Sequence, residues 1–405
     1  MMNTIKCALL CSFLLGCGGS SDTTTTPDTS TNSAVEGCVD INGVNNFDPV
    51  TVTDLSCTND IINLERFQNY SSLESLSIET NEFESFSGIE ALNNLQAFNL
   101  IVSSSRADLN QLDFSAFLSL TNLRELEFEF LSDNYDVTQL DTIKQLDNIL
   151  SLKLRVPKFN VTDFNQINQL QILELNAIEL VNAFELAELD NLLELTLVDT
   201  EVENSVGLNN LDTLQTLILD KVVGIESKDI ATISNLTFLQ LSDTDIGLLS
   251  NLEGLIQLVD LLLIGVRANH DLNFIGSLPG LRRLDIEGIS NNTELLLPAS
   301  IFRLTQLSIK NATLNNLGFL TSLSNIQSLS LINIGLSSLG SITGLITLNQ
   351  LTLANNDIID VSGLVDIISL KQLDISGNPN LDCSRLDFLK SFFSNLDVIS
   401  PQHCL

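Results

Sequence analysis

The stretch Leu345–Leu364, LITLNQLTLANNDIIDVSGL, decides how this chain is read. Leu348, Leu351 and Leu353 form an L-x-x-L-x-L segment, short enough for one strand. Alternate side chains of a strand point to opposite faces. Leu351 and Leu353 are therefore expected inward, and Gln350, Thr352 and Ala354 outward. Ile358, Val361, Leu364 and then Ile367 follow at spacings of three, which predicts a return path of short helical or 3-10 turns.

The segment recurs as Leu73, Leu76 and Ile78, as Leu192, Leu195 and Leu197, and as Leu214, Leu217 and Leu219. Its first positions fall at 73, 95, 123, 149, 170, 192, 214, 236, 258, 281, 304, 326, 348 and 370. Most steps are 22 residues; one is 21, two are 23, and two are longer at 28 and 26. A fixed period of this size is the signature of a solenoid. One coil cannot bury its own inward leucines, whereas stacked coils bury each other's. Residues 73–378 therefore read as one array of about 14 leucine-rich repeats.

The pattern resembles the 22-residue leucine-rich-repeat class of the bacterial internalin family, over about residues 50–400, with Leu345–Leu364 the best match. The resemblance implies an α/β solenoid with a curved parallel β-sheet on its concave face and short helical or 3-10 turns on its convex face. The family carries an Asn eight residues after the first Leu, which hydrogen-bonds the turn after the strand. Here Asn occupies that position only at Asn81, Asn356 and Asn378, with Thr200 and Thr244 as partial substitutes. Elsewhere it is Ser103, Leu131, Pro157, Ile178, Val222, Val266, Ile289, Ala312 or Ile334. The central turns must therefore satisfy their buried backbone groups in some other way.

The chain begins MMNTIKCALLCSFLLGCGGSSD. Lys6 precedes an apolar run, Cys7–Leu15, too short to span a bilayer. Leu14-Leu15-Gly16-Cys17 resembles the bacterial lipobox, in which the peptide is cut before an acylated Cys. Residues 1–16 then read as a lipoprotein signal peptide and 17–35 as a Gly/Ser/Thr-rich tether from lipidated Cys17. Gly18, in place of Asp, resembles the outer-membrane sorting pattern of Gram-negative lipoproteins.

Residues 36–72 and 379–405 break the repeat and read as caps. The C-terminal one contains Leu386, Phe388, Leu389, Phe392 and Phe393, and predicts a short helix and a last strand. Cys38 and Cys57 lie at one end, Cys383 and Cys404 at the other. Three pairings exist in principle. If the middle is an extended solenoid, only Cys38–Cys57 and Cys383–Cys404 come within disulfide reach, and export favours such bridges. A four-Cys zinc site would need both ends together, and CxxC is absent.

Acidic residues number 51 against 18 basic, a net charge of -33, which argues against nucleic-acid binding. The acidity serves first to keep an elongated surface soluble; a basic partner or bound calcium are the alternatives. There is no P-loop, G-x-S-x-G elbow or H-E-x-x-H, and His270 and His403 are the only histidines. No enzyme, cofactor or resident metal is expected.

The expected function is macromolecular recognition on the outward positions, two, four and six residues after each first Leu. Glu125, Glu127 and Glu129 fill one coil and Lys153 and Arg155 follow in the next, as a cross-strand charge ladder, a partner contact or a calcium site. Ile172, Val198, Ile218, Phe238, Leu262 and Ile264 read as an apolar strip, which marks a binding face if contiguous. The long repeats place extra residues near 103–106 and 132–136, the second with Tyr135, an anchor type common at interfaces. The leading expectation is an unknown protein or other macromolecule docked there, the membrane being met through the lipid anchor only. A self-associating envelope protein is the alternative.

Overall fold

The computed structural model describes residues 36–45, 47–58, 61–103, 112–130, 142–160, 166–266, 272–288, 297–314, 317–340, 342 and 344–405. The L-x-x-L-x-L segments stack in register as parallel strands. β1 (Cys38–Asp40) lies antiparallel on β2 (Asp54–Thr58), whose far edge begins the parallel stack. β3 (Ser75–Thr80), β4 (Ala97–Val102), β5 (Glu125–Phe130), β6 (Ser151–Asn160) and β7 (Ile172–Val181) follow. After them come β8 (Glu194–Val198), β9 (Glu201–Val202), β10 (Thr216–Asp220), β11 (Phe238–Ser242) and β12 (Asp260–Ile264). The stack ends with β13 (Arg283–Glu287), β14 (Gln306–Lys310), β15 (Ser328–Ile332), β16 (Gln350–Thr352), β17 (Gln372–Asp374) and β18 (Asp397–Ile399). Each strand pairs with the next, except β9, which lies beyond the turn and pairs with β7 while β8 pairs with β10.

The inward positions are closed to water: Leu195, Leu197, Leu217, Leu219, Leu239 and Leu241 are all 0 % exposed. Return paths run through 3-10 turns such as Ser362–Asp366, with Ile358, Val361, Leu364 and Ile367 buried under them. Ala354, expected outward, is buried; its carbonyl accepts from the Asn333 N–H and from Asn356 Nδ2.

Asn356 and Asn378 do hold their turns. The Asn356 amide donates to the Leu331 carbonyl (2.7 Å) and accepts from Ile334 and Leu336 N–H (3.1 Å each). Asn378 donates to Leu353 and Ile375 carbonyls and accepts from Ile358 N–H. Thr244 Oγ1 manages the smaller version, accepting from Val222 N–H at 3.1 Å and donating to the Ser242 carbonyl at 2.8 Å. Asn81 does not: it is exposed, and Thr80, one residue earlier, is the buried group that contacts the Glu82 backbone.

Two further devices serve the turns, including those without Asn. From the coil of Leu192 onward, the residue seven after the first Leu is left-handed in every coil: Asp199, Lys221, Asp243, Gly265, Gly288, Asn311, Asn333, Asn355 and Gly377. Its N–H donates to a carbonyl of the next coil, as Lys221 to Ser242, Asp243 to Ile264 and Gly288 to Lys310. In β6 and β7 the strand instead runs straight through the turn position and pairs again beyond it, Lys158 with Glu179 and Phe159 with Leu180. That second ladder continues through β9 to an isolated bridge, Glu201–Val223.

A further column stands just before each first Leu. Asn94, Asn122, Asn148, Asn191, Asn235 and Asn325 each donate from the side-chain amide to a carbonyl of the preceding coil.

Both ends are closed by disulfides, Cys38–Cys57 and Cys383–Cys404. At the C-terminal end, α1 (Cys383–Phe392) buries Leu386 and Leu389. Phe388 and Phe392 of the same helix are 52 % and 57 % exposed.

Candidate functional site

The outward positions form a grid whose rows are set by strand register. On β5 to β7, Glu127 lies opposite Lys153 and Lys153 opposite Glu174, while Glu129 lies opposite Arg155. Arg155 contacts Glu129 at 2.7 Å and Lys153 contacts Glu174 at 3.4 Å, so the cross-strand charge ladder is present. Burial raises the Glu127 carboxyl above the usual range; Lys153 pulls it down, and Glu174 and Glu129 push it up. Glu125, at the strand start, is exposed.

Beside this ladder the face sinks. Ser75, Ser77, Ala97 and Ser151 are small, so β3 to β6 enclose a depression of about 120 Å³ walled by Glu125, Glu127 and Lys153. Asn99 lines it; its amide donates to Ser77 Oγ at 3.4 Å, and its buried oxygen has no hydrogen-bond partner among the described residues. An unmet buried acceptor costs on the order of 1–3 kcal/mol unless a ligand or water supplies a donor. The sequence reading missed this feature. Its signal was the small outward residues of the first two repeats.

The apolar strip fills no single row of the grid. Each of Ile172, Val198, Ile218, Phe238, Leu262 and Ile264 is half-buried and outward, yet each has polar in-register neighbours. Ile172 sits between Ser151 and Glu194, Ile218 between Thr196 and Gln240, and Phe238 between Thr216 and Asp260. Val198 lies between Asn176 and Asp220, Leu262 between Gln240 and Asp285, and Ile264 between Ser242 and Glu287. The period of the repeat puts them on one face, but the alternation of positions spreads them diagonally. Tyr135, the insertions near 103–106 and 132–136 (Ser103 excepted), Cys17 and His270 lie outside the described residues.

Cys383, His403 and Cys404 cluster within 4.8 Å, but both sulfurs are joined in the disulfide. Among the described residues no helix is long and apolar enough to cross a membrane.

No protein-family model matches the chain, and no curated protein matches it. Solved structures do. A Leptospira interrogans leucine-rich-repeat protein aligns at TM-score 0.59 and 19% identity, over 83% of this chain and 92% of that one. The fold is a leucine-rich-repeat solenoid. An internalin of Listeria monocytogenes aligns at TM-score 0.53 and 20% identity, over 80% of this chain and 86% of that one. The ectodomain of an Arabidopsis thaliana receptor kinase, solved in complex with CASPARIAN STRIP INTEGRITY FACTOR 2, aligns at TM-score 0.51 and 18% identity, over 85% of this chain and 46% of that one. The leucine-rich-repeat architecture is what these alignments share.

Proposed function

We propose that the chain is a lipid-anchored recognition module of the bacterial envelope, tethered through Cys17, that captures a macromolecular partner on its strand-lined face without catalysing a reaction. The observation that carries this reading is the depression on β3 to β6. It joins an unmet buried acceptor at Asn99, a desolvated carboxyl at Glu127 and small side chains that leave room for an incoming group. The repeats that carry the two long insertions, expected to frame a binding surface, supply β4 and β5 of this same region. The receptor kinase ectodomain similar in fold was solved with a bound factor, which supports the same use of a solenoid here. Self-association through an apolar face has less support, because polar residues separate its members.

The test is capture from native envelope by immobilised full-length chain, acylated at Cys17. Ser77→Arg fills the depression and should abolish capture, whereas Glu253→Lys, an exposed change on the return side, should leave it intact. Equal capture by both variants would sink the assignment of the face. Mass spectrometry of the mature N-terminus checks the anchor separately: an unacylated terminus away from Cys17 rules it out.

A further inference from the structure

In a chain with a net charge of -33, one groove on the strand-entry edge contains two arginines and no carboxylate. It measures about 620 Å³ and crosses four successive coils. Arg282 and Arg303 stand at one end; Thr305, Gln327, Thr347 and Asn349 line the rest with Asn325. Both guanidinium groups donate to the same carbonyl, that of Pro279, at 3.2 and 2.8 Å. The two like charges therefore lie side by side, an unfavourable arrangement unless an anion joins them. Neither forms an ion pair with any described residue; the Arg303 guanidinium also lies over the Phe302 ring, 5.4 Å from its centre, and among the described residues Nε and Nη2 of both forks make no hydrogen bond.

The fold does not require the second charge. Arg282 alone reaches the carbonyls of Pro279, Gly280 and Leu281. Arg303 occupies the column where Asn325 and Asn235 bond the preceding coil without charge. Gln327 and Asn349 carry side chains with no hydrogen bond among the described residues.

We infer that this groove binds an acidic saccharide. Its anionic group sits between Arg282 and Arg303, where two planar forks give charge-assisted bonds. Its hydroxyls run along Thr305, Gln327 and Asn349, which recur one coil apart, about 4.8 Å. Among the described residues the groove is lined by polar side chains alone, and the ring at its edge, Phe302, is covered by the Arg303 guanidinium, so no apolar seat is open to the anchor residues of a peptide or an acyl chain. The absence of carboxylates from its lining excludes a cation.

The experiment is calorimetric titration of the full chain with trigalacturonate, maltotriose and triglutamate. Short probes limit repulsion by the acidic body, which at about 0.15 M salt is screened over roughly 8 Å. Trigalacturonate should bind saturably and at least ten-fold more tightly than either of the others. Arg282→Gln with Arg303→Gln should remove that preference. Gln327→Ala with Asn349→Ala, which break no bond of the fold, should weaken trigalacturonate several-fold at an unchanged melting temperature. Triglutamate binding as tightly as trigalacturonate overturns the saccharide assignment; undiminished binding by both double variants, or no binding of trigalacturonate by the parent, overturns the site.

Discussion

The coils of β3 to β7 and those from β8 to β17 share one motif but close by different means. In the first region the residue seven after the first Leu is Thr80, Val102, Phe130, Val156 or Ala177, and it belongs to the strand, which ends on it in β3, β4 and β5 and carries on through it in β6 and β7. Those positions are mostly β-branched or aromatic, types that resist the left-handed region. In the second region the same position is Asp, Asn, Gly or, once, Lys, and each turns left-handed. Strands shorten accordingly, from six or ten residues to five or three. The interiors differ to match. Phe83, Phe86, Phe98, Phe114, Phe117 and Phe128 touch each other across the first region. Two of its repeats are 28 and 26 residues long. One residue per coil thus selects the turn.

The largest expected effect tests whether the regions are energetically separate. Phe86 meets Phe83, Phe98, Phe114, Phe117 and Phe128, so Phe86→Ala should cost about 3–5 kcal/mol. Coils contact only their neighbours, so the loss should be local. Hydrogen exchange should rise first over β3 to β6 and last over β14 to β17. Uniform loss of protection would join the two regions into one cooperative unit and break the comparison.

Next in size is the contrast among three residues at one repeat position. Asn356→Ala strands buried N–H and carbonyl groups of two coils and should cost about 3 kcal/mol. Thr244→Ala loses fewer bonds and should cost about 1–2 kcal/mol. Asn81→Ala, in the first region, should cost nearly nothing, because Asn81 is exposed. Denaturant midpoints rank them; a cost for Asn81→Ala near that of Asn356→Ala would contradict the two-device picture.

That contrast also marks what was legible beforehand. The strand register, the inward leucines and the end-to-end separation of the cysteine pairs followed from the period alone. The Asn at the eighth position was known from the resemblance and drew attention there, so its absence in the middle looked like a gap. The filled column was one residue earlier, at Asp199, Asp243, Gly265, Asn311 and Asn333, all types that tolerate a positive φ. The layout of the apolar strip was hidden for a different reason. Outward direction follows from alternation, but contiguity depends on which of three outward positions each residue holds, and those must be compared across coils.

Lys221 is the one member of the left-handed column without a small or glycine-like side chain. Its ion pair to Asp199, at 3.7 Å and exposed, adds little. Lys221→Asn should therefore stabilise by about 0.5–1 kcal/mol. The same residue at Val156, buried in a straight strand, should destabilise instead. A loss of stability for Lys221→Asn would show that the ion pair outweighs the backbone preference.

The smallest effect is electrostatic and appears as a pH dependence. Glu127, in the first region, and Asp220, in the second, both have carboxyls raised above their ordinary range, chiefly by burial. Their neighbours differ: Glu174 and Glu129 add to the rise at Glu127, while Asp199 and Asp243 of the left-handed column add to it at Asp220. A carboxyl with a higher pKa folded than unfolded takes up a proton on folding as the pH falls between the two. Its stabilising share is fully present below the unfolded pKa and is lost as pH rises through the folded one. Glu127→Gln and Asp220→Asn should then be more stable than the parent at neutral pH, and the gap should close as the pH falls through the ordinary carboxylate range. Glu129→Gln behaves oppositely at neutral pH, since it breaks the direct Arg155 pair, at a cost of up to about 1 kcal/mol that the relieved repulsion at Glu127 offsets in part. Melting curves from pH 7 to pH 3 read the difference. A gap for Glu127→Gln that widens toward acid would reverse the sign and mean that Lys153, not burial, governs that carboxyl.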